Sequence, residues 1–146
     1  MTKKKALTIE PQKIQLVAVD ELIPYVRNPK AHPAKQINKI AKLIKEVGFK
    51  GAILVDKNME IVAGHGRLLA AEKLGLKKVP VIVDTDLTPD QARAFRIADN
   101  KVAESEWDQE LYEMELQEIF QSSSSELLKD FDFEILIEKT GDRRQE

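Results

Sequence analysis

Ile61-Val62-Ala63-Gly64-His65-Gly66-Arg67-Leu68-Leu69-Ala70-Ala71-Glu72-Lys73-Leu74 decides how this chain is read. Ile61 to Ala63 form a short apolar run suited to a strand. Gly64 and Gly66 free the backbone to turn, and Leu68 to Leu74 open an apolar, helix-forming stretch. A strand that turns through glycines into a helix aims several backbone N–H groups at one spot. The helix dipole adds partial positive charge there, and Arg67 adds a full one. These are the physical ingredients for holding an anion, most often a phosphate. The plainer alternative is a tight turn whose Arg67 pairs with a local carboxylate.

Working outward, Ala52 to Val55 and Glu60 to Ala63 read as a hairpin around Asp56-Lys57-Asn58. Before it, Ile37, Ile40, Ala41, Ile44 and Val47 lie on one stripe of an amphipathic helix over Lys35 to Val47. Lys35, Lys39, Lys42 and Lys45 fall largely off that stripe, and Gly48 stops the helix. Arg27 to Pro33 holds Asn28, Pro29, Lys30 and His32; its prolines predict an extended loop. Ile14 to Val19 reads as a strand, and Asp20 to Pro24 as a short turn.

After the glycines, Leu68, Leu69, Ala71 and Leu74 predict a short buried helix capped by Gly75. Val79 to Val83 reads as a strand, with Pro80 suited to an edge or to the strand's start. Thr88-Pro89-Asp90-Gln91 is a helix start: Thr88 as N-cap, Pro89 in the first turn and Gln91 closing a capping box. That helix runs to about Val102 with Ala92, Phe95 and Val102 inward, while Arg93 and Arg96 either reach phosphate or pair with Asp90 and Asp99. Asp108 starts a further helix with Tyr112, Leu116, Ile119 and Phe120 on one face. Ser122 to Ser125 reads as a flexible linker. Residues 126–137 read as a weak element carrying Phe131, Phe133, Ile135, Leu136 and Ile137, and Lys139 to Glu146 as a frayed end.

Aromatic residues make up only 5% of the 146 residues, so the core must rest on Ile, Leu, Val and Ala. There is no cysteine, which excludes disulfides, thiolate zinc sites and cysteine nucleophiles. The lysines of Met1 to Lys5 are not followed by an apolar stretch, and no segment approaches the ~20 apolar residues of a membrane span. The expectation is a cytoplasmic protein with no membrane partner. The net charge of -2 hides a split. Residues 1–103 hold 19 Lys/Arg against 11 Asp/Glu, a net of +8, whereas residues 104–146 hold 4 against 14, a net of -10. A basic body meets anions; an acidic segment competes with nucleic acid or docks on a basic partner. The domain reading is a flexible lead at 1–13, an anion-binding domain at 14–103 and an acidic helical appendage at 104–146.

Over residues 14–103 the chain resembles the ParB N-terminal-like domain of the ParB/sulfiredoxin superfamily. The resemblance is carried by Leu22-Ile23-Pro24, Arg27-Asn28-Pro29, Val47-Gly48, Ile61 to Arg67, Ala70-Ala71, Gly75-Leu76, Val79 to Val83 and Ala98-Asp99-Asn100, in that order. It implies an α/β (α+β) fold: a small mixed sheet with helices around it, followed here by the acidic helical appendage. In ParB the turn reads Gly-Glu-Arg-Arg and cradles nucleotide phosphates, with CTP in chromosome-segregation members. Gly64 and Arg67 match that turn, while His65 and Gly66 replace its middle residues. Asp99-Asn100 match the Glu-Asn pair that serves the magnesium–nucleotide unit. Sulfiredoxin chemistry needs a cysteine in this turn and is excluded. The Gly-His-Gly-Arg variant, with Arg96 to Lys101 and Trp107-Asp108, looks most like ParB-like domains of phages and mobile elements, often linked to DNA methyltransferases.

The site expected from the resemblance has Gly64, His65, Gly66 and Arg67 cradling phosphates, with Arg27 and Asn28 closing over the ligand. Asp99 and Asn100 hold the metal, and Asp99 and His65 carry any catalysis. The cofactor is a nucleoside triphosphate, CTP or ATP, with Mg2+. Expected partners are nucleotide, DNA through the basic region, a DNA methyltransferase or other phage protein, and a second copy in a homodimer. Two alternatives stay open. One is a metal-dependent nuclease using His32, His65 and Asp99. The other is a non-enzymatic adapter whose acidic helices dock on a methyltransferase or terminase-like partner.

Overall fold

The hairpin forms where the sequence places it, and the rest of the sheet is built on its first strand. In the computed structural model, which describes residues 7–28, 31–103 and 106–129, the strands are β1 (Gln15–Ala18), β2 (Ile53–Asp56), β3 (Ile61–Ala63) and β4 (Lys78–Asp84). The Asp56 carboxylate accepts from the N–H groups of Asn58 and Glu60 at 2.8 and 3.0 Å, which closes the turn between β2 and β3. Leu54 pairs with Ala63 and Val55 with Ile61, so Val62 is the extra residue of a bulge. The sheet order is β1-β4-β2-β3, with β2 parallel to β4 and the other pairs antiparallel. This is the mixed sheet expected.

The helices are α1 (Ala34–Val47), α2 (His65–Lys73), α3 (Pro89–Val102), α4 (Gln109–Phe120) and α5 (Ser125–Leu128). Ile53, Val55, Ile61, Val79 and Val81 are fully buried in the sheet, and Leu68 and Ala71 of α2 pack onto them. Ala70 turns the other way and packs with Ile37 and Ala41 of α1. Two small residues one position apart thus let α2 serve both the sheet and α1. Lys73 Nζ also donates to Asn38 Oδ1, tying the end of α2 to α1. The capping box at Thr88 and Gln91 forms as read, with Pro89 in the first turn.

Several expectations are corrected. Pro80 is neither at an edge nor at a strand's start: it lies inside β4, flanked by β1 and β2, opposite Leu16. A residue's N–H points to only one neighbouring strand, so the proline removes a single ladder bond. Leu69 is 40% exposed, because α2 starts at His65 and its phase turns positions 66 and 70 toward α1 and 68 and 71 toward the sheet. On α3 the buried residues are Ala92 and Arg96, one turn apart, whereas Phe95 and Val102 are exposed. Ser122 to Ser125 is a hydrogen-bonded turn rather than a loose linker: Ser122 Oγ donates to Ile119 O, and the Ser125 N–H donates to Ser122 O.

Residues 7–13 are exposed and carry no regular structure. The Asp108 carboxylate caps α4 through the Leu111 N–H, Leu116 is buried, and α5 lies against α1. The weak element at 126–137 is described only as far as 129, where α5 occupies its start; the aromatic run and the frayed end lie outside the described residues.

Gly64 is held at φ 109°, and a Cβ added there would stand 3.1 Å from Ile53 Cγ1 and 3.3 Å from Ile53 Cα. Gly75 also has positive φ (72°), but a Cβ there meets nothing within 4 Å. Gly64→Ala is therefore expected to cost ~3 kcal/mol in urea unfolding, and Gly75→Ala only ~1 kcal/mol, the backbone strain alone. Equal losses would show that the contact with Ile53 contributes nothing.

Candidate functional site

The turn from β3 into α2 opens onto a cleft of about 450 Å³. That is within the range of small-molecule sites. One wall is α1, through Gln36, Ile40, Leu43, Ile44 and Val47. Opposite it stand Gly64, His65, Gly66 and Arg67, with Asp99 and Asn100 of α3 and with Asn28 and His32 of the loop before α1. Gly48 and Lys50, just past α1, also line the cleft. Gly64 is the N-cap of α2 in a left-handed conformation and supplies no side-chain cap. The first N–H groups of α2 are therefore left for water or a ligand.

Gly66 does more than permit a turn. It sits inside α2, where a Cβ would come within 2.9 Å of Ile40 Cδ1 and 3.4 Å of His32 Nδ1. The missing side chain lets α1 and the His32 loop close on the helix start. Arg67 is exposed, and its guanidinium lies 3.8 Å from where a Cβ of Gly51 would be. Among the described residues Arg67 has no carboxylate partner, so the plainer reading of it as a local ion pair does not hold.

His65 is engaged more firmly than its sequence position suggests. Its Nε2 accepts from the Tyr25 N–H at 3.1 Å. Burial, then the neighbouring His32 and Arg96, push its pKa down from 6.5 to about 4. The ring is thus neutral at neutral pH, and with Nε2 accepting, its proton sits on Nδ1. His32 is half-buried, its ring stacked at 6.5 Å from that of His65, and its Nδ1 bonds Gln36 Oε1 at 2.8 Å.

The expected His32, His65 and Asp99 metal group is not formed: among the described residues no three such side chains gather to hold an ion. Of the two loop residues expected to close over a ligand, Asn28 lines the cleft, whereas Arg27 is exposed outside it. Asp99 is exposed at the cleft's margin, and the Asn100 amide nitrogen donates to Arg96 O at 2.6 Å.

Arg96, read from the sequence as reaching phosphate or pairing with Asp99, instead turns inward. It is 4% exposed, with Nε and Nη2 donating to Ile61 O at 3.2 and 3.0 Å. The guanidinium lies 3.5 Å from the centroid of the Tyr25 ring, and Glu60 Oε1 stands 3.6 Å from Nη2. Its position four residues after Ala92, on the inward stripe, was the available signal. Arg93, three residues earlier, makes only an exposed contact with Asp90 at 4.0 Å.

Residues 3–101 match the ParB N-terminal domain. The chain belongs to that family. The ParB-like nuclease domain-containing protein YnaK of Escherichia coli K12 is 42% identical over 82 residues, covering 56% of this chain and 94% of YnaK. A probable chromosome-partitioning protein ParB of Rickettsia typhi is 28% identical over 81 residues, which cover 55% of this chain but 28% of that protein. The fold is shared with C-terminally truncated chromosome-partitioning protein ParB of Caulobacter crescentus, complexed with CTP-gamma-S. That likeness has TM-score 0.64 at 22% identity and covers 74% of this chain and 63% of that one.

The lowered pKa of His65 sets a pH dependence. Below pH 6.5 the unfolded chain takes up a proton that the folded ring refuses until about pH 4. The stability contributed by the neutral ring is full above that window and is lost as pH falls through it, by on the order of 1 kcal/mol for a half-exposed ring. Urea midpoints of wild type and His65→Gln should therefore converge between pH 7 and pH 5. Parallel midpoints would contradict the neutral ring.

Proposed function

We propose that the cleft binds a nucleoside phosphate, with Gly64, His65, Gly66 and Arg67 cradling its phosphates. The observation that carries this reading is the convergence, on one cleft of about 450 Å³, of an uncapped helix start and an arginine that has no carboxylate partner among the described residues. The complex of the Caulobacter crescentus ParB with CTP-gamma-S supports it. His65 would donate from Nδ1 to a phosphate oxygen. Its Nε2 is committed to Tyr25, so a proton-transfer role is disfavoured. Asn28 would close the loop side, and Arg27 would join it by a shift of the loop that carries both.

The residues present fit a magnesium ion better than a transition metal. Asp99 and Asn100 offer one carboxylate and one amide, and Mg2+ takes few protein oxygens and completes its shell with water and phosphate. When bound, the ion would offset phosphate charge; Asp99 would hold it or orient a water. The setting proposed is a DNA transaction, such as phage or mobile-element DNA modification or regulation. The net +8 of residues 1–103 supports contact with DNA, and the net -10 of residues 104–146 suits docking on a basic partner such as a methyltransferase.

Calorimetry with CTP, ATP, GTP and UTP, with and without Mg2+, tests the reading. At least one nucleotide should bind, more tightly with Mg2+, and Arg67→Ala should weaken it about 10-fold or more. No binding to any of the four would overturn the reading. Plasmid nicking abolished by His65→Ala, without nucleotide binding, would favour a nuclease instead.

A further inference from the structure

We infer that the outer face of α4 is a docking site for a basic amphipathic helix of a partner protein. This rests on the reading of residues 104–146 as a docking segment and gives that segment a surface; it is independent of nucleotide binding in the cleft.

α4 carries apolar residues on two sides. Its inner side is settled by Leu116, which is 4% exposed, with Tyr112, Ile119 and Phe120 half-buried beside it. Leu111 and Met114 fall on the opposite side, three residues apart, and are 54% and 49% exposed. Trp107, the chain's one tryptophan, stands at the head of the same helix. Its ring stacks on Tyr112 with centroids 4.5 Å apart and still remains 70% exposed. The plainer role for Trp107 is a hydrophobic staple, joining the residue before the Asp108 cap to the fourth residue of the helix. A staple accounts for the stack on Tyr112. It does not account for Leu111 and Met114, which the core leaves in water.

The charge around this stripe has one sign. Residues 106–121 contain no Lys or Arg. Glu110 and Glu115 flank Leu111 and Met114, and Glu118 follows one turn on. All three are exposed, and among the described residues none has a cationic partner. The last turn of α4 holds no basic residue, although the helix dipole favours a cation there.

The bare apolar stripe and the unanswered negative rim call for the same occupant. A helix with apolar residues at i, i+3, i+4 and i+7, and Lys or Arg beside them, answers both. A stacked tryptophan is a rigid anchor for such a contact, and methionine adapts to its partner's shape. Other occupants meet repulsion. Nucleic acid or an anionic membrane would face the glutamates, and a second copy packed by the same face about a two-fold axis would set rim against rim.

The test uses the full chain and two short synthetic peptides of identical leucine and lysine content. In one the leucines fall on a single helical face; in the other the order is scrambled. Trp107 reports directly: acrylamide should quench it readily in the free chain, and the patterned peptide should shift its emission to the blue and protect it. By calorimetry the patterned peptide should bind about 10-fold or more tightly than the scrambled one. The pair Leu111→Ser and Met114→Ser should cost about 10-fold in that affinity, and the pair Glu110→Lys and Glu115→Lys at least as much. All four positions are exposed, so thermal unfolding should confirm that both variants stay folded. A Trp107 already shielded in the free chain overturns the inference, because the face is then covered by the chain itself or by a second copy. Equal binding of the two peptides, or binding indifferent to the serine pair, also overturns it and leaves docking through acidic charge alone. If neither peptide binds, the docking reading of residues 104–146 fails as well.

Discussion

The buried guanidinium of Arg96 is the interaction on which the site's shape depends. A charge that is 4% exposed survives in a protein only if its N–H groups are used and its field is answered. Arg96 satisfies both conditions with partners from two places: Ile61 O and Glu60 Oε1 of the hairpin, and the face of Tyr25. The stacking contact alone is worth about 2 kcal/mol when desolvated. Together these contacts fix α3 against the hairpin and hold the Tyr25 loop over it.

The consequence for the cleft is direct. Tyr25, held beneath the guanidinium, turns its own N–H to His65 Nε2 at the start of α2. Asn100, one turn past Arg96, donates to the backbone carbonyl of Arg96 and stands on the same wall as His65. The buried cation thereby orients His65 through Tyr25 without itself lining the cleft. It also helps to keep His65 neutral, adding its repulsion to the effect of burial and of His32. Arg67 and Lys50, by contrast, stand at the cleft rather than in the core.

Much of this was legible in the sequence because it is local. The hairpin, the stripe of α1, the capping box at Thr88 and Gln91, and the glycine turn all depend on residues within a few positions of one another. The family resemblance pointed to Arg27, Asn28, Gly64 to Arg67, Asp99 and Asn100, and all of these but Arg27 line one cleft. What was illegible depends on partners distant in the chain. Pro80 reads as an edge residue until β1 is known to pair outside β4. Phe95 reads as core until Arg96 is seen to take the inward position. Gly66 reads as a turn residue until Ile40 and His32 are found against it. The histidines, separated by more than thirty positions, do meet, but Tyr25 rather than a metal takes the ring nitrogen of His65.

The most direct measurement is the ring tautomer of His65, read by long-range 1H–15N correlation at pH 7 in wild type and in Arg96→Met. The account requires a neutral wild-type ring with its proton on Nδ1 and a bare, accepting Nε2, and a mixture of tautomers once the guanidinium is removed. A wild-type ring protonated on Nε2, or doubly protonated at that pH, would contradict it.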